Sequence, residues 1–274
     1  MSRLEIIKNR VRHGDGIALS PLHVACIKYD GASAIKQLIS EGADVDKKNY
    51  NGETPLHYCV NFQSEVCVKM LIDAGVDVNA TSDDGSTPLH FAASTARCKN
   101  VGIMRLLMNE GAMVNAVKRG GWTVLHHCIK RNNDPKTVEE IVKEMIERNV
   151  NVNIAASNGA TPLCTAVALS RRYSVVVSLL TGGADVDALT NEGTSPLAVA
   201  RTKIVNKILF EHKKERESVS RVIRSLRTCP VTLCEKKVAL LAAITIHLSK
   251  KTKWLTEKRR LSCTIRFAVR KGFP

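Results

Sequence analysis

A tetrapeptide of the form Thr-Pro-Leu-His, or a close variant, returns down this chain at steps of 34, 33, 36, 38 and 34 residues. It stands as Ser20-Pro21-Leu22-His23, Thr54-Pro55-Leu56-His57, Thr87-Pro88-Leu89-His90, Thr123-Val124-Leu125-His126, Thr161-Pro162-Leu163-Cys164 and Ser195-Pro196-Leu197-Ala198. A fixed period of this size implies stacked units that cannot fold singly, because each buries its apolar face only against its neighbours. A second marker follows the first five copies in constant order. It reads Gly42-Ala43-Asp44-Val45-Asp46, Gly75-Val76-Asp77-Val78-Asn79, Gly111-Ala112-Met113-Val114-Asn115, Asn149-Val150-Asn151-Val152-Asn153 and Gly183-Ala184-Asp185-Val186-Asp187.

The residue types explain what each unit does locally. Thr or Ser before Pro offers an oxygen to exposed helix-start amides, and Pro at the first helical position loses no hydrogen bond. Leu opens an apolar face. Small residues after it, such as Ala25-Cys26, Cys59, Ala92-Ala93, Cys128 and Ala166, permit close approach of a neighbouring helix. A second helix is predicted from apolar residues at helical spacing: Ile35, Leu38 and Ile39; Val68, Leu71 and Ile72; Ile103, Leu106 and Leu107; Ile141, Met145 and Ile146. It should end at Gly42, Gly75, Gly111 and Gly183, with Asn149 taking the left-handed position in the fourth unit. Tight turns then precede the next unit at Asn51-Gly52, Asp84-Gly85, Gly120-Gly121, Asn158-Gly159 and Glu192-Gly193.

Two markers in constant order resemble the ankyrin repeat family. The resemblance implies an all-α solenoid of about six helix-turn-helix units with hairpin loops. The expected organisation is an N-terminal capping segment (1–19), the array (20–212), a basic helical cap or linker (213–260) and a terminal helix (261–274). The resemblance also implies that His23, His57, His90 and His126 hydrogen-bond between neighbouring turns and hold adjacent units in register. Periodic histidines read that way are ties, not bases or ligands.

No enzyme reading finds a residue to stand on: no Ser–His–Asp order, paired carboxylate or phosphate-cradling loop rises above the repeat. No cofactor or metal is expected. Cys26, Cys59, Cys128 and Cys164 sit beside the motif as small buried thiols, and Cys229 and Cys234 lack a second pair at zinc-site spacing. The odd total of nine suits a reducing compartment. Residues 1–12 carry no signal-peptide core, and the longest apolar stretch, 238–248, is well short of the roughly 20 residues needed to span a bilayer. A cytoplasmic or nuclear protein, monomeric on its own and without membrane contact, is therefore expected.

Function must then lie on the surface of the array. In the ankyrin family the hairpin tips and first helices form a concave face that binds partner proteins. Counting from each motif, the tips supply Tyr50, Asn51, Asp83, Asp84, Arg119 and Asn158. The residue before the fourth motif is Trp122, and the ends of first helices supply Phe62, Lys130 and Arg131. Tyr50, Phe62 and Trp122 are the expected anchors, since large aromatics contribute disproportionately to binding. The alternative for Trp122 is a structural residue lying along its own hairpin. The third and fourth units are longer than the second, with surplus residues near 97–100 and 132–136 that lengthen surface loops.

Charge is divided unevenly. Residues 1–210 carry 24 Lys and Arg against 21 Asp and Glu, whereas residues 211–274 carry 17 against 5. The basic tail reads either as a solvated set of helices, predicted at 219–226 and 238–248, or as a surface for an acidic partner or nuclear import. Nucleic acid is the disfavoured partner, because no aromatic residues interleave with the basic ones. The last fourteen residues, Leu261-Ser262-Cys263-Thr264-Ile265-Arg266-Phe267-Ala268-Val269-Arg270-Lys271-Gly272-Phe273-Pro274, resemble the opening helix of a SOCS box, as in the ankyrin-repeat and SOCS-box family. Ile265 stands where that family has Cys, and Pro274 where it has Gly. Leu261, Ile265 and Val269 share one helix face. The resemblance implies docking of that face into elongin C of the elongin B–elongin C pair. A following segment selects a cullin in that family, and its place would lie beyond Pro274. Two functions remain open: a substrate-recognition adaptor of an elongin/cullin ubiquitin ligase, or a ligase-independent scaffold or regulator.

Overall fold

A computed structural model of the chain describes residues 19–28, 31–62, 65–94, 100–131, 135–169 and 173–228. They contain twelve helices and one two-stranded ribbon, distributed over two compact units, Met1–Val205 and Asn206–Pro274. In the first, helices come in pairs: α1 (Pro21–Ile27) with α2 (Gly31–Ser40), α3 (Pro55–Phe62) with α4 (Glu65–Asp73), and α5 (Pro88–Ser94) with α6 (Asn100–Asn109). The fourth pair is α7 (Val124–Arg131) with α8 (Pro135–Glu147), and the fifth is α9 (Pro162–Ala168) with α10 (Tyr173–Thr181). The short α11 (Pro196–Val199) follows. The first helices pack in a row, α1 to α3 to α5 to α7 to α9 to α11, and second helices form an outer layer where α2 meets α4, α4 meets α6, and α8 meets α10.

The local chemistry is the expected one. Side-chain oxygens of Ser20, Thr161 and Ser195 accept from the backbone N–H three residues on, with Pro opening each helix. Leu22, Leu56, Leu89, Leu125 and Leu163 are fully buried, each burial contributing about 2 kcal/mol. Cys26, Cys59 and Cys128 are buried here, and burial, followed by the neighbouring Cys26, pushes the Cys59 thiol up. Second helices bury Ile35, Val68, Leu71, Ile103, Leu107, Ile141 and Met145, while Leu38, Ile39 and Ile146 are half-buried. Each of the five ends in the same paired carbonyl cap. In the fourth, Asn149 at φ 60° donates to the Ile146 carbonyl and Val150 donates to Met145.

Three hydrogen-bond ladders then set the register between units. In the first, each motif imidazole accepts at Nδ1 from its own capping amide. Its Nε2–H donates to the carbonyl at the end of the next hairpin: His23 to Glu53 (3.0 Å), His57 to Ser86 (3.0 Å), His90 to Trp122 (3.3 Å) and His126 to Ala160 (3.0 Å). The second links the hairpin tips backbone to backbone: Asp83 N–H to Asn51, Arg119 to Asp84, Ser157 to Gly120 and Asn191 to Asn158, at 2.7–3.0 Å. The third runs along the second marker, where Asp46, Asn79, Asn115 and Asn153 accept from the backbone N–H of Asp77, Met113, Asn151 and Asp185 in the following unit. The sequence displays that Asp or Asn at every turn, but nothing in its spacing says that it reaches across to the next unit.

Burial lowers all four motif histidines, bringing His57 and His90 to about 4. The folded array holds His57 and His90 neutral down to about 4 while the unfolded chain protonates them near 6.5, so unfolding takes up protons between those values. Their stabilisation is complete above about pH 6.5 and is lost as pH falls toward about 4. Imidazole NMR signals of His57 and His90 should therefore still report the neutral Nε2–H form at about pH 5.5. Titration near 6.5 would contradict their burial.

The sixth unit departs from the others. Cys164 replaces the motif histidine before it, α11 has four residues, and Leu197 is 38% exposed where the other motif leucines are buried. Cys164→His supplies a donor for the Thr194 carbonyl and should stabilise the array by about 1 kcal/mol in chemical denaturation. No gain would show that the missing tie is not what weakens this end. The fourth hairpin also differs, forming the antiparallel strands β1 (Val117–Lys118) and β2 (Trp122–Thr123), with Lys118 opposite Trp122.

In the second compact unit the described part belongs to α12 (Lys203–Thr228), which begins just before the boundary. It is one uninterrupted helix containing the segment 219–226; no Pro or Gly occurs within it to stop it. The segments 1–18 and 229–274, including the expected helix at 238–248, lie outside the described residues.

Candidate protein-binding groove

Hairpin tips and first helices of the second to fourth units enclose a groove of about 350 Å³. Its rim is Asn51, Asp83, Asp84, Lys118 and Arg119, all on tips; deeper lie Glu53, Ser86, His90, Phe91, Ser94 and His127. The groove exists because the tip ladder holds successive hairpins at hydrogen-bonding distance while the side chains project from both sides of it.

The floor is built from rings. In the second to fourth units the residue after the motif histidine sets a ring edge-on against the preceding unit's histidine: Tyr58 on His23 (5.3 Å), Phe91 on His57 (4.9 Å) and His127 on His90 (5.7 Å), and of these His90, Phe91 and His127 line the groove. Edge-to-face geometry favours such pairs beyond area burial alone. Below the second unit's tip, Asn49 Nδ2 and the Tyr58 hydroxyl both donate to Glu53 Oε2, at 3.2 and 2.9 Å, so this buried carboxylate is satisfied from two directions. Asp84 is held differently. Burial alone would raise its carboxyl, but hydrogen bonds from Ser82, Ser86 and Lys118 hold it well below the usual carboxylate range. Lys118 Nζ lies 3.0 Å from Asp84 Oδ2.

Of the residues singled out from sequence, Asn51, Asp83, Asp84 and Arg119 come together on the groove rim. Arg119 reaches the Asp83 carbonyl at 3.4 Å. Tyr50 shares a tip with Asn51 and is 71% exposed. Phe62 is half-buried and tilted against Tyr58, so part of its surface is used within α3. Asn158 is exposed on the fifth tip, where its side-chain oxygen accepts from Ala160 N–H. Trp122 is half-buried with its ring against His126 (5.5 Å) and His127 (5.6 Å), and Lys130 Nζ sits 4.4 Å from the ring centroid. It thus packs on its own first helix and stays partly exposed. Arg131 closes α7. Leu261, Ile265 and Val269, most of the surplus segment at 132–136, and residues 97–99 lie outside the described residues. Sequence reading passed over Lys118, Phe91 and His127; the available signal was the recurring ring one place after the motif.

A one-dimensional stack with a groove between tips and inner helices defines a repeat scaffold for binding other proteins. The family model described as "Ankyrin repeats (3 copies)" matches residues 3–82, 22–116, 67–139 and 96–190, and the chain belongs to the ankyrin-repeat family. Among solved structures it is similar to the ankyrin repeat domain of Bcl-3, a unique member of the IkappaB protein family. The two are 26% identical with a TM-score of 0.60, over 75% of this chain and 91% of that one. The ankyrin repeats make this chain a protein–protein interaction module, of a kind that is typically non-enzymatic. Among the described residues no helix is long and apolar enough to cross a membrane.

Proposed function

We propose that the array holds a client protein across the tips and first helices of its second to fourth units, with Tyr50, Asn51, Asp83, Asp84, Arg119 and Trp122 among the contacts. The observation that carries this is the groove itself: it is lined from three consecutive units, so only an assembled array presents it. A photo-crosslinking residue at Asn51 or Arg119 should attach to a client in cells, whereas one at Lys143 on the outer helix α8 should not. Crosslinking mainly from Lys143 would overturn this assignment of the face. With the client in hand, Trp122→Ala should weaken its binding by about tenfold or more while leaving the helical signal intact. Unchanged affinity, or a large loss of stability, would return Trp122 to a purely structural role.

The finer reading is a substrate-recognition adaptor, with the array holding the substrate and residues 261–274 holding elongin B–elongin C. It is supported by the SOCS-box resemblance carried by Leu261, Arg266, Val269, Arg270, Lys271 and Phe273. A cullin would join through elongin, and the site of action would be cytoplasm or nucleus. Capture of purified elongin B–elongin C at about micromolar concentration is its test. Without capture, the chain is a ligase-independent binding module.

A further inference from the structure

We infer that the fourth unit is the anchoring point for an acidic segment of a partner protein, carboxylates set between Arg119 and Lys130 and an apolar neighbour on Trp122. The inference rests on reading the inner face as the protein-binding surface, and it names the chemistry of what binds there. Residues 116–133 contain Lys118, Arg119, Lys130 and Arg131 and no Asp or Glu. The places equivalent to Lys118, Arg119 and Lys130 in adjoining units are Ser82, Asp83 and Ser94 on one side and Ala156, Ser157 and Ala168 on the other, so the basic charge is one unit wide.

The structure separates committed cations from available ones. Lys118 is paired with Asp84 of the third unit. Arg119 reaches only a backbone carbonyl, and Lys130 only the Trp122 ring; among the described residues neither makes an ion pair. Trp122 links the two. Its carbonyl is fixed by His90, its strand pairs it opposite Lys118 beside Arg119, and its ring lies under Lys130. Side chains directly opposite in an antiparallel pair share a face, so Lys118 stands on the indole's side of the hairpin, with Arg119 next to it at the tip. Toward the third unit, Asp83 and Asp84 repel an acidic chain, whereas toward the fifth the tips are neutral. An acidic segment therefore gains charge complementarity over the fourth unit, meets no opposing charge at the fifth tip and loses complementarity over the third.

The test uses the full chain and a fluorescein-labelled peptide, Gly-Glu-Glu-Leu-Glu-Glu-Gly, read by anisotropy. Binding should weaken by about tenfold between about 50 and about 300 mM salt. The double variant Arg119→Glu, Lys130→Glu should lose about tenfold or more, while Lys250→Gln, Lys251→Gln, Lys253→Gln in the basic tail should lose less than about twofold. Arg119→Gln, Lys130→Gln, with an unchanged thermal midpoint, should show the same order and excludes misfolding as the cause. The inference is overturned if the tail variant carries the loss instead, if the lysine counterpart of the peptide binds equally well, or if a short oligothymidylate binds more tightly through Arg119 and Lys130. Crosslinking of a client from Asn51 would persist in each case, so the groove reading stands or falls separately.

Discussion

Gly121→Ala is expected to destabilise the array by about 3 kcal/mol or more, whereas Gly111→Ala, at a similar backbone angle, should cost about 1–2 kcal/mol. Both glycines have positive φ, 73° and 85°, and both substitutions incur the left-handed penalty of an L side chain. The difference lies in what the new methyl meets. At Gly111 nothing stands within 4 Å. At Gly121 the methyl would lie 2.6 Å from Ser157 N and 2.8 Å from Ala156 Cα and C, all backbone atoms that cannot rotate aside. Relief requires the fourth and fifth tips to part, which breaks the Ser157 to Gly120 hydrogen bond and exposes both groups to further cost. Chemical denaturation of the two variants side by side measures the difference. Equal losses would mean that the tips do not approach as closely as the ladder requires.

That comparison marks where sequence reading stops. Gly111 and Gly121 look alike as letters, and the turn chemistry of each was legible because it is local. The same holds for the capping Ser and Thr, the buried motif Leu and the left-handed Asn149. The histidine ties followed from the family resemblance. What was not legible depends on residues about a unit apart. Whether Asp46 or Asn79 caps its own turn or reaches the next unit is set by the offset between stacked backbones. The groove behaves likewise. Its rim could be counted from the motif, but Phe91 and His127 belong to its floor because each ring leans on a histidine of the preceding unit. In α12 the polar stretch 211–218 hides the apolar spacing, yet without Pro or Gly the helix continues through it.

Leu261→Asp should abolish capture of elongin B–elongin C if the adaptor reading is right. Leu261, Ile265 and Val269 are spaced by four and so share one face of a helix, the arrangement by which an amphipathic segment enters an apolar groove. On this reading Leu261 fills the pocket while Ile265 and Val269 line its edge. A carboxylate in that pocket is desolvated without a partner, a cost of several kcal/mol that exceeds what the remaining contacts return. Arg266, Arg270 and Lys271 lie off this face, and neutralising them should only tune the affinity. A tail that binds an acidic surface reverses the order. Capture would then survive Leu261→Asp, fall on neutralising the three cations and weaken steeply with salt, since screened charge would carry the affinity. The two substitution sets thus separate groove insertion from charge attraction in one binding assay. Absence of capture by the unaltered chain would remove the adaptor reading and leave the ankyrin array as the binding module.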